Sequence, residues 1–150
     1  MQQHKFTVCR LETAHLGGVA VLEQLCFPLE PWSESSLAVL CRENGVGFAA
    51  VEEDGTVSAY VGMTYAAGEG SITNVATHPA YRRQGLASTL LTALVLEAKA
   101  RSLKTLSLEV RESNLAAVRL YESHGFSVGG KRHSFYKNPR EDALVMICNL

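Results

Sequence analysis

Apolar residues recur along this chain with two different periods, and the alternation between those periods predicts most of its elements. Leu86, Ala87, Leu90, Leu91, Leu94, Val95 and Ala98 fall at i, i+1, i+4, i+5, i+8, i+9 and i+12, the stripe of a long amphipathic helix. Shortly after it, Leu106, Leu108 and Val110 alternate with Thr105, Ser107 and Glu109, the period of two that a strand requires. Glu109 is therefore expected to point away from the apolar row. Upstream, the pattern predicts a strand over residues 6–10 and a helix over 14–27. Pro28 and Pro31 then break the chain before a second helix, which Ser33 caps and which runs through Leu37, Leu40 and Cys41 to end near Asn44-Gly45. Strands are expected at 48–53, 56–65 and 71–77. The first two flank Asp54-Gly55, a pair suited to the positive φ angles of a type I′ turn. Residues 114–124 read as a short helix carrying Ala117, Val118 and Tyr121, closed by Gly125 as a left-handed cap. The last strand candidates are 126–129 and 143–148. This is continuous α/β alternation, without a linker, repeat or low-complexity tract to divide it, and residues 1–150 are expected to form one domain.

Composition narrows the partners more than the fold. With 14 Lys and Arg against 15 Asp and Glu, the formal charge of −1 supplies no global field for a polyanion, so nucleic acid or a membrane surface would need a local basic patch. At 47% apolar and 19% charged residues the chain has too much hydrophobic material to be disordered. Cys9, Cys26, Cys41 and Cys148 include no C-x-x-C pair and read as buried, reduced thiols. His4, His15, His78, His124 and His133 show no metal-ligand spacing, so no metal is expected. The first residues contain no apolar signal-like segment, and no stretch approaches the ~18–20 apolar residues of a membrane span, which points to the cytoplasm.

The candidate chemistry begins at Tyr81-Arg82-Arg83-Gln84-Gly85-Leu86-Ala87-Ser88, where a loop with two cations opens directly into the long helix. The first turn of a helix has unpaired N–H groups and the positive end of the dipole, Gly85 lets a ligand approach the backbone, and the arginines add charge that a pyrophosphate would neutralise. Neither a P-loop nor a dinucleotide fingerprint is present to explain it. A solvated basic helix start is the plain alternative.

Four strings turn that cradle into a family resemblance. They are Pro31-Trp32-Ser33-Glu34, then Asn74-Val75-Ala76-Thr77-His78-Pro79 leading into Arg82-Arg83-Gln84-Gly85-Leu86-Ala87, then Leu108-Glu109-Val110-Arg111-Glu112-Ser113-Asn114, and Leu120-Tyr121-Glu122-Ser123-His124-Gly125-Phe126. With the order of elements, they resemble the GNAT family of acetyl-CoA-dependent N-acetyltransferases over nearly the whole chain. The first and third strings, with Glu141-Asp142-Ala143-Leu144, narrow the likeness to its RimI-type branch of ribosomal-protein-alanine acetyltransferases.

The resemblance implies an α/β (α+β) GNAT fold, a mixed, bent sheet whose two central strands splay to admit the pantetheine arm of acetyl-CoA. Backbone groups at Val75, Ala76 and Thr77 would pair with that arm, the segment Arg82, Arg83, Gln84, Gly85, Leu86, Ala87 and Ser88 would hold the pyrophosphate, and Asn114 would contact the coenzyme. Glu109 would be the general base, through water, and Tyr121 the general acid for the departing thiolate. Trp32 and Tyr136 would wall the first acceptor residue. Glu34, Glu69, Glu141 and Asp142 would give the acceptor side a negative lining. The implied substrate is a protein N-terminus, an Ala of a small-subunit ribosomal protein, by direct transfer. No Cys sits beside a plausible base in these strings to carry the acetyl group.

The chain departs from the family pattern at Thr77, His78 and His124, and Phe135 precedes Tyr136 where two tyrosines are common, so a hydroxyl is missing there. Three other readings stay open on sequence: acetylation of Lys side chains or of a small amine, an acetyl-CoA-binding module without turnover, and a ribosome-associated role for Arg82, Arg83, Arg101, Lys104 and Arg111. An α-amine titrates near ~8 and a Lys ammonium near ~10.4, so a modest base favours N-termini.

Overall fold

The computed structural model describes residues 5–150, which leaves His4 outside the described residues. The strands are β1 (Thr7–Arg10), β2 (Gly45–Val51), β3 (Val57–Ala66), β4 (Glu69–Thr77), β5 (Thr105–Arg111), β6 (Ser127–Lys137) and β7 (Arg140–Asn149). The α-helices are α1 (Leu16–Cys26), α2 (Glu34–Leu37), α3 (Leu86–Ala100) and α4 (Leu115–Ser123). The strands form one mixed sheet in the order β1-β2-β3-β4-β5-β7-β6, antiparallel at every step except β4–β5. No helix among the described residues is long and apolar enough to cross a membrane.

Each face of the sheet buries its own core. On one face Leu90, Leu91 and Leu94 of α3 pack with Met63, Leu106 and Leu108, as the helical stripe and the strand alternation predict. On the other, Val19 and Leu22 of α1 and Leu37 of α2 close over Ala49, Tyr60 and Ala76. Each fully buried Leu contributes roughly 1.5–3 kcal/mol relative to leaving it exposed. Ser33 caps α2 as expected, its Oγ accepting the Ser36 N–H at 3.1 Å. Ser33→Ala should therefore cost about 1 kcal/mol, read as a fall of roughly 2–4 °C in melting temperature.

The second helix, expected to run through Cys41 to near Asn44, is α-helical only over Glu34–Leu37 and continues as a 3-10 helix over Ala38–Cys41. Two further sequence expectations need correction. The Asp54-Gly55 turn is not type I′, because Gly55 has φ +90 while Asp54 is absent from the residues with positive φ. Instead Gly55 N–H bonds Glu52 C=O at 2.9 Å and Glu52 N–H bonds Thr56 C=O at 2.9 Å, a three-residue loop with a left-handed Gly at its end. Positive φ at two successive residues occurs at Ala67 and Gly68, +52 and +81, which join the paired residues Ala66 and Glu69 of β3 and β4. The second correction concerns β6 and β7, which extend to Lys137 and Arg140 and turn through Asn138-Pro139, well beyond the segments expected from apolar alternation. Almost every residue of β6 is exposed, so no buried face imprints a period on its sequence. The cysteines are all free, but only Cys148 is fully buried.

Two departures from regular sheet geometry shape the centre. First, β4 and β5 are paired only at Glu69–Thr105, Gly70–Leu106 and Ser71–Ser107, and beyond these they separate. The splay expected from the family resemblance is present, and it leaves the β5-facing edge of β4 without a strand partner past Ser71. Second, the β3–β4 register steps from Met63–Ile72 to Gly62–Asn74, so Thr73 is an extra residue. Such a bulge reverses the alternation that follows it. Ile72 and Val75 both join the α3 core, while Asn74 is turned with Ala76 toward the α1 face.

Candidate active site

The separated strands open a cavity of about 500 Å³ between the two cores. Glu109 lines it from β5, opposite the buried row of Leu106, Leu108 and Val110 and thus on the α1 face, as the alternation predicts. Arg132 Nε lies 3.4 Å from Glu109 Oε1, but that guanidinium is 59% exposed and the carboxylate 34%, so solvent screens the pair. Tyr121 lines the cavity from α4, among the side chains of the α3 core. Its ring meets Phe126 edge-on at 6.0 Å. Burial, with Tyr136 adding, pushes its hydroxyl up to about 12, so it holds its proton throughout the neutral range. A group able to accept a proton and a group able to donate one thus enter the same space from opposite faces of the sheet.

Asn114 also lines the cavity, and its Oδ1 caps α4 by accepting the Ala117 N–H at 3.2 Å. Val75 is a wall residue, whereas Ala76 and Thr77 continue β4 beyond the cavity. The Thr77 carbonyl accepts from Arg82 Nε at 3.2 Å and from the Cys26 thiol at 3.4 Å. The Arg82 side chain is therefore tied to the strand end, though Arg82, Arg83, Gln84 and Gly85 are all exposed. Gly85, φ +77, starts α3 with no side-chain cap, and a Cβ there would meet nothing within 4 Å. The first α3 bond runs from Thr89 N–H to Gly85 C=O at 3.0 Å, so the N–H groups of Leu86, Ala87 and Ser88 have no partner within the helix. Ser88 Oγ is 2.9 Å from His124 Nε2. An unobstructed helix start in line with an unpaired strand edge fits an extended ligand that ends in phosphate.

The acceptor-side expectations divide. Trp32 and Tyr136 are wall residues, and Arg111 lies over the Tyr136 ring with its Cζ 4.3 Å from the centroid. Arg111 also donates to the carbonyls of Pro139 at 2.9 Å and Asn138 at 3.1 Å, which fixes the β6–β7 turn beside the cavity. Asn138 Nδ2 in turn donates to Glu30 Oε1 at 3.0 Å and joins the two rims. The four acidic residues do not assemble into a lining. Glu34 is exposed in the first turn of α2, and Glu69 lies at the joined end of β4 and β5. Glu141 accepts from Ser113 N–H at 2.7 Å and Arg111 at 3.2 Å, and these bonds, Ser113's first, hold its carboxyl below the usual range. Asp142 is similarly held low by the Ser134 N–H at 2.8 Å, with His133 assisting. Both are occupied within the β6–β7 hairpin.

Among the wall residues that sequence reasoning missed, Glu23, Asn74 and Cys26 bear on the chemistry. Glu23, 1% exposed, accepts from Trp32 N–H at 2.9 Å and from the Tyr60 hydroxyl at 2.5 Å. The signal was available, since Glu23 stands among Leu16, Val19 and Leu22 on the buried side of α1. Asn74 is 6% exposed, and its Oδ1 has no hydrogen-bond partner. Cys26, which lies outside the motif strings, lines the same space. Burial pushes its thiol up despite Arg82 nearby, so it is present as the weakly nucleophilic thiol. Among the described residues no cluster of three or more His, Cys, Asp or Glu is placed to hold a metal.

Comparison with known proteins bears on family and fold. Residues 12–126 match the acetyltransferase (GNAT) family. The chain is 37% identical over 142 residues to the [ribosomal protein bS18]-alanine N-acetyltransferase of Escherichia coli strain K12, covering 93% of this chain and 95% of that one. It is 36% identical over 121 residues to the protein of the same name from Haemophilus ducreyi, covering 79% and 83%. The crystal structure of the ribosomal-protein-S18-alanine N-acetyltransferase from Escherichia coli superposes with a TM-score of 0.88 at 36% identity, over 97% of this chain and 94% of that chain.

Proposed function

The chain belongs to the acetyltransferase (GNAT) family and is an N-acetyltransferase, and from that premise we propose that it transfers acetyl from acetyl-CoA to the α-amine of a protein N-terminus, the N-terminal Ala of a small-subunit ribosomal protein. The observation that carries this reading is the placement of Glu109 and Tyr121 on opposite sides of one cavity where β4 and β5 part. Its choice of acceptor follows the relatives whose names specify a ribosomal-protein alanine.

The residues divide the work. The unpaired edge of β4 around Val75, Ala76 and Thr77 receives the pantetheine arm, and the segment from Arg82 to Ser88 receives the pyrophosphate through backbone N–H groups, with Arg83 adding charge. Asn114 fixes the start of α4 beside the coenzyme. Trp32 and Tyr136 enclose the first residue of the acceptor. Glu109, through water, takes the proton the amine gives up as nitrogen bonds to the acetyl carbon. Tyr121 gives its proton to sulfur as the carbon–sulfur bond breaks, and both groups return to their starting states by exchange with solvent. Transfer is direct, since Cys26 is held as a thiol whose hydrogen bond is directed to Thr77. The cytoplasm is where such an acceptor is found.

The test is calorimetric titration with acetyl-CoA, followed by an Ala-starting peptide in the same sample while free thiol is measured. Tight binding with thiol release is expected. Binding without release on any N-terminal peptide, but with release on Lys-containing peptides or small amines, would replace the acceptor class, and no binding would overturn the reading.

A further inference from the structure

Tyr136 is the one residue of β6 that is not exposed. The sheet does not account for this. Regular pairing of β6 with β7 breaks between Arg132 and Tyr136, where Ser134 takes φ +52, and resumes only for the pairs Tyr136–Glu141 and Lys137–Arg140 before the turn. A strand with no buried face and an interrupted ladder leaves the direction of a side chain near its tip undetermined. A group from outside the hairpin must hold the ring.

Arg111 is that group. It is the last residue of β5, two positions beyond Glu109, and strand alternation puts both side chains on the same face. From there its guanidinium covers the Tyr136 ring, with Cζ 4.3 Å from the centroid. Its Nη1 donates to the Pro139 carbonyl at 2.9 Å and to Glu141 Oε1 at 3.2 Å, and its Nη2 to the Asn138 carbonyl at 3.1 Å. One planar cation thus holds the ring face and both carbonyls of the turn. Lysine could not reproduce this, because a single ammonium cannot lie over a ring and fork to two carbonyls at once. The other acceptor wall, Trp32, is fixed independently, its N–H donating to Glu23 Oε1 at 2.9 Å. The placement of Tyr136 relative to Trp32 therefore depends on Arg111, which shares its strand with Glu109.

We propose that Arg111 is a positioning residue for the acceptor, acting through Tyr136. By fixing that ring and the β6–β7 turn relative to Glu109, it sets peptide affinity and the selection of the first residue. The proposal rests on the N-terminal transfer inferred above.

The test is steady-state kinetics on Ala-starting and Leu-starting peptides, alongside calorimetry with acetyl-CoA, for the wild type, Arg111→Met, Arg111→Lys, Tyr136→Ala and the double variant Arg111→Met with Tyr136→Ala. Arg111→Met should raise KM for the Ala-starting peptide about tenfold, the scale of a cation–π contact and charged hydrogen bonds lost together. Its kcat should stay within about twofold of wild type, the signature of lost binding rather than lost chemistry, and acetyl-CoA affinity should not move. The wild-type preference for the Ala-starting peptide should shrink. Arg111→Lys should behave as Arg111→Met does. Once Tyr136 is Ala, the further change at Arg111 should raise KM by less than about twofold, because the ring it positions is gone. An unchanged peptide KM in Arg111→Met, a full penalty persisting without the Tyr136 ring, or a loss confined to kcat or acetyl-CoA affinity would overturn the proposal. Should Arg111→Met fail to fold, wild-type KM and selectivity in Arg111→Lys would overturn it equally. Failure of the underlying reading is visible separately, as a wild-type protein that binds acetyl-CoA and acetylates no N-terminal peptide, and it would remove this proposal with it.

Discussion

Glu109→Gln is expected to lower kcat on an Ala-starting peptide by at least ~10²-fold, the usual scale for removing a general base, while acetyl-CoA affinity stays as it is. Gln keeps the volume and the polar atoms of the side chain and loses only its ability to accept a proton. The partner it leaves, Arg132, is 59% exposed and returns to water, so no buried charge is orphaned and the melting temperature should hardly move. Peptide KM should change little, since the interaction removed is one made as the proton leaves, and kcat and kcat/KM should fall together. The deficit should also narrow as the pH rises above the ~8 of an α-amine, because hydroxide then takes over the proton. Steady-state kinetics between pH 6 and roughly 10, alongside calorimetry with acetyl-CoA, measure all of this. An unchanged rate would discard Glu109 as the base and return it to the bland role of an exposed partner of Arg132.

How well the sequence foretold this site depended on whether a residue sat within an unbroken period. Glu109 was legible because β5 alternates without interruption, so its opposition to Leu108 and Val110 could be read directly. Tyr121 was legible as part of α4, whose ends are marked by the Asn114 cap and by Gly125 at φ +91. Asn74 was not, because one extra residue at Thr73 reverses the facing of everything after it, and a bulge leaves no mark in a hydrophobicity pattern. The β6–β7 hairpin escaped for a different reason. Its order comes from Arg111, Glu141, Asp142 and their backbone partners, not from a buried face, and such bonds follow no period. The acidic lining failed on the same ground. The family resemblance put Glu141 and Asp142 on the acceptor side, but only the hydrogen bonds reveal that both are already committed. The splay of β4 from β5 was foreseen only through the family resemblance, since the Thr73 bulge just past the last β4–β5 pair leaves no mark in the sequence.

Tyr121→Phe is expected to cost kcat about 10²-fold, a contribution typical of a positioned acid, with acetyl-CoA and peptide binding retained. The ring remains to meet Phe126, so the core contact survives and only the hydroxyl is lost. The loss is bounded because a thiolate, with a conjugate acid near ~8.5 for an ordinary thiol, leaves far more readily than an alkoxide and can depart unprotonated at a price in rate. The pH dependence separates this role from that of Glu109. Because burial pushes the Tyr121 hydroxyl up to about 12, the acid is fully protonated wherever the α-amine is neutral, and the wild-type rate should rise through pH ~8 and hold a plateau with no alkaline fall before pH ~10. The sign for stability agrees. A folded-state value above the unfolded ~10 contributes stability that is complete below pH ~10 and is lost as the pH climbs toward about 12. Tyr121→Phe should abolish that alkaline loss along with the catalytic one, so thermal melts of the two proteins at pH 8 and near pH ~11 report the ionisation independently of turnover. Were kcat preserved in Tyr121→Phe while the alkaline melting difference appeared as expected, the hydroxyl would be a buried structural group and the departing sulfur would take its proton from water.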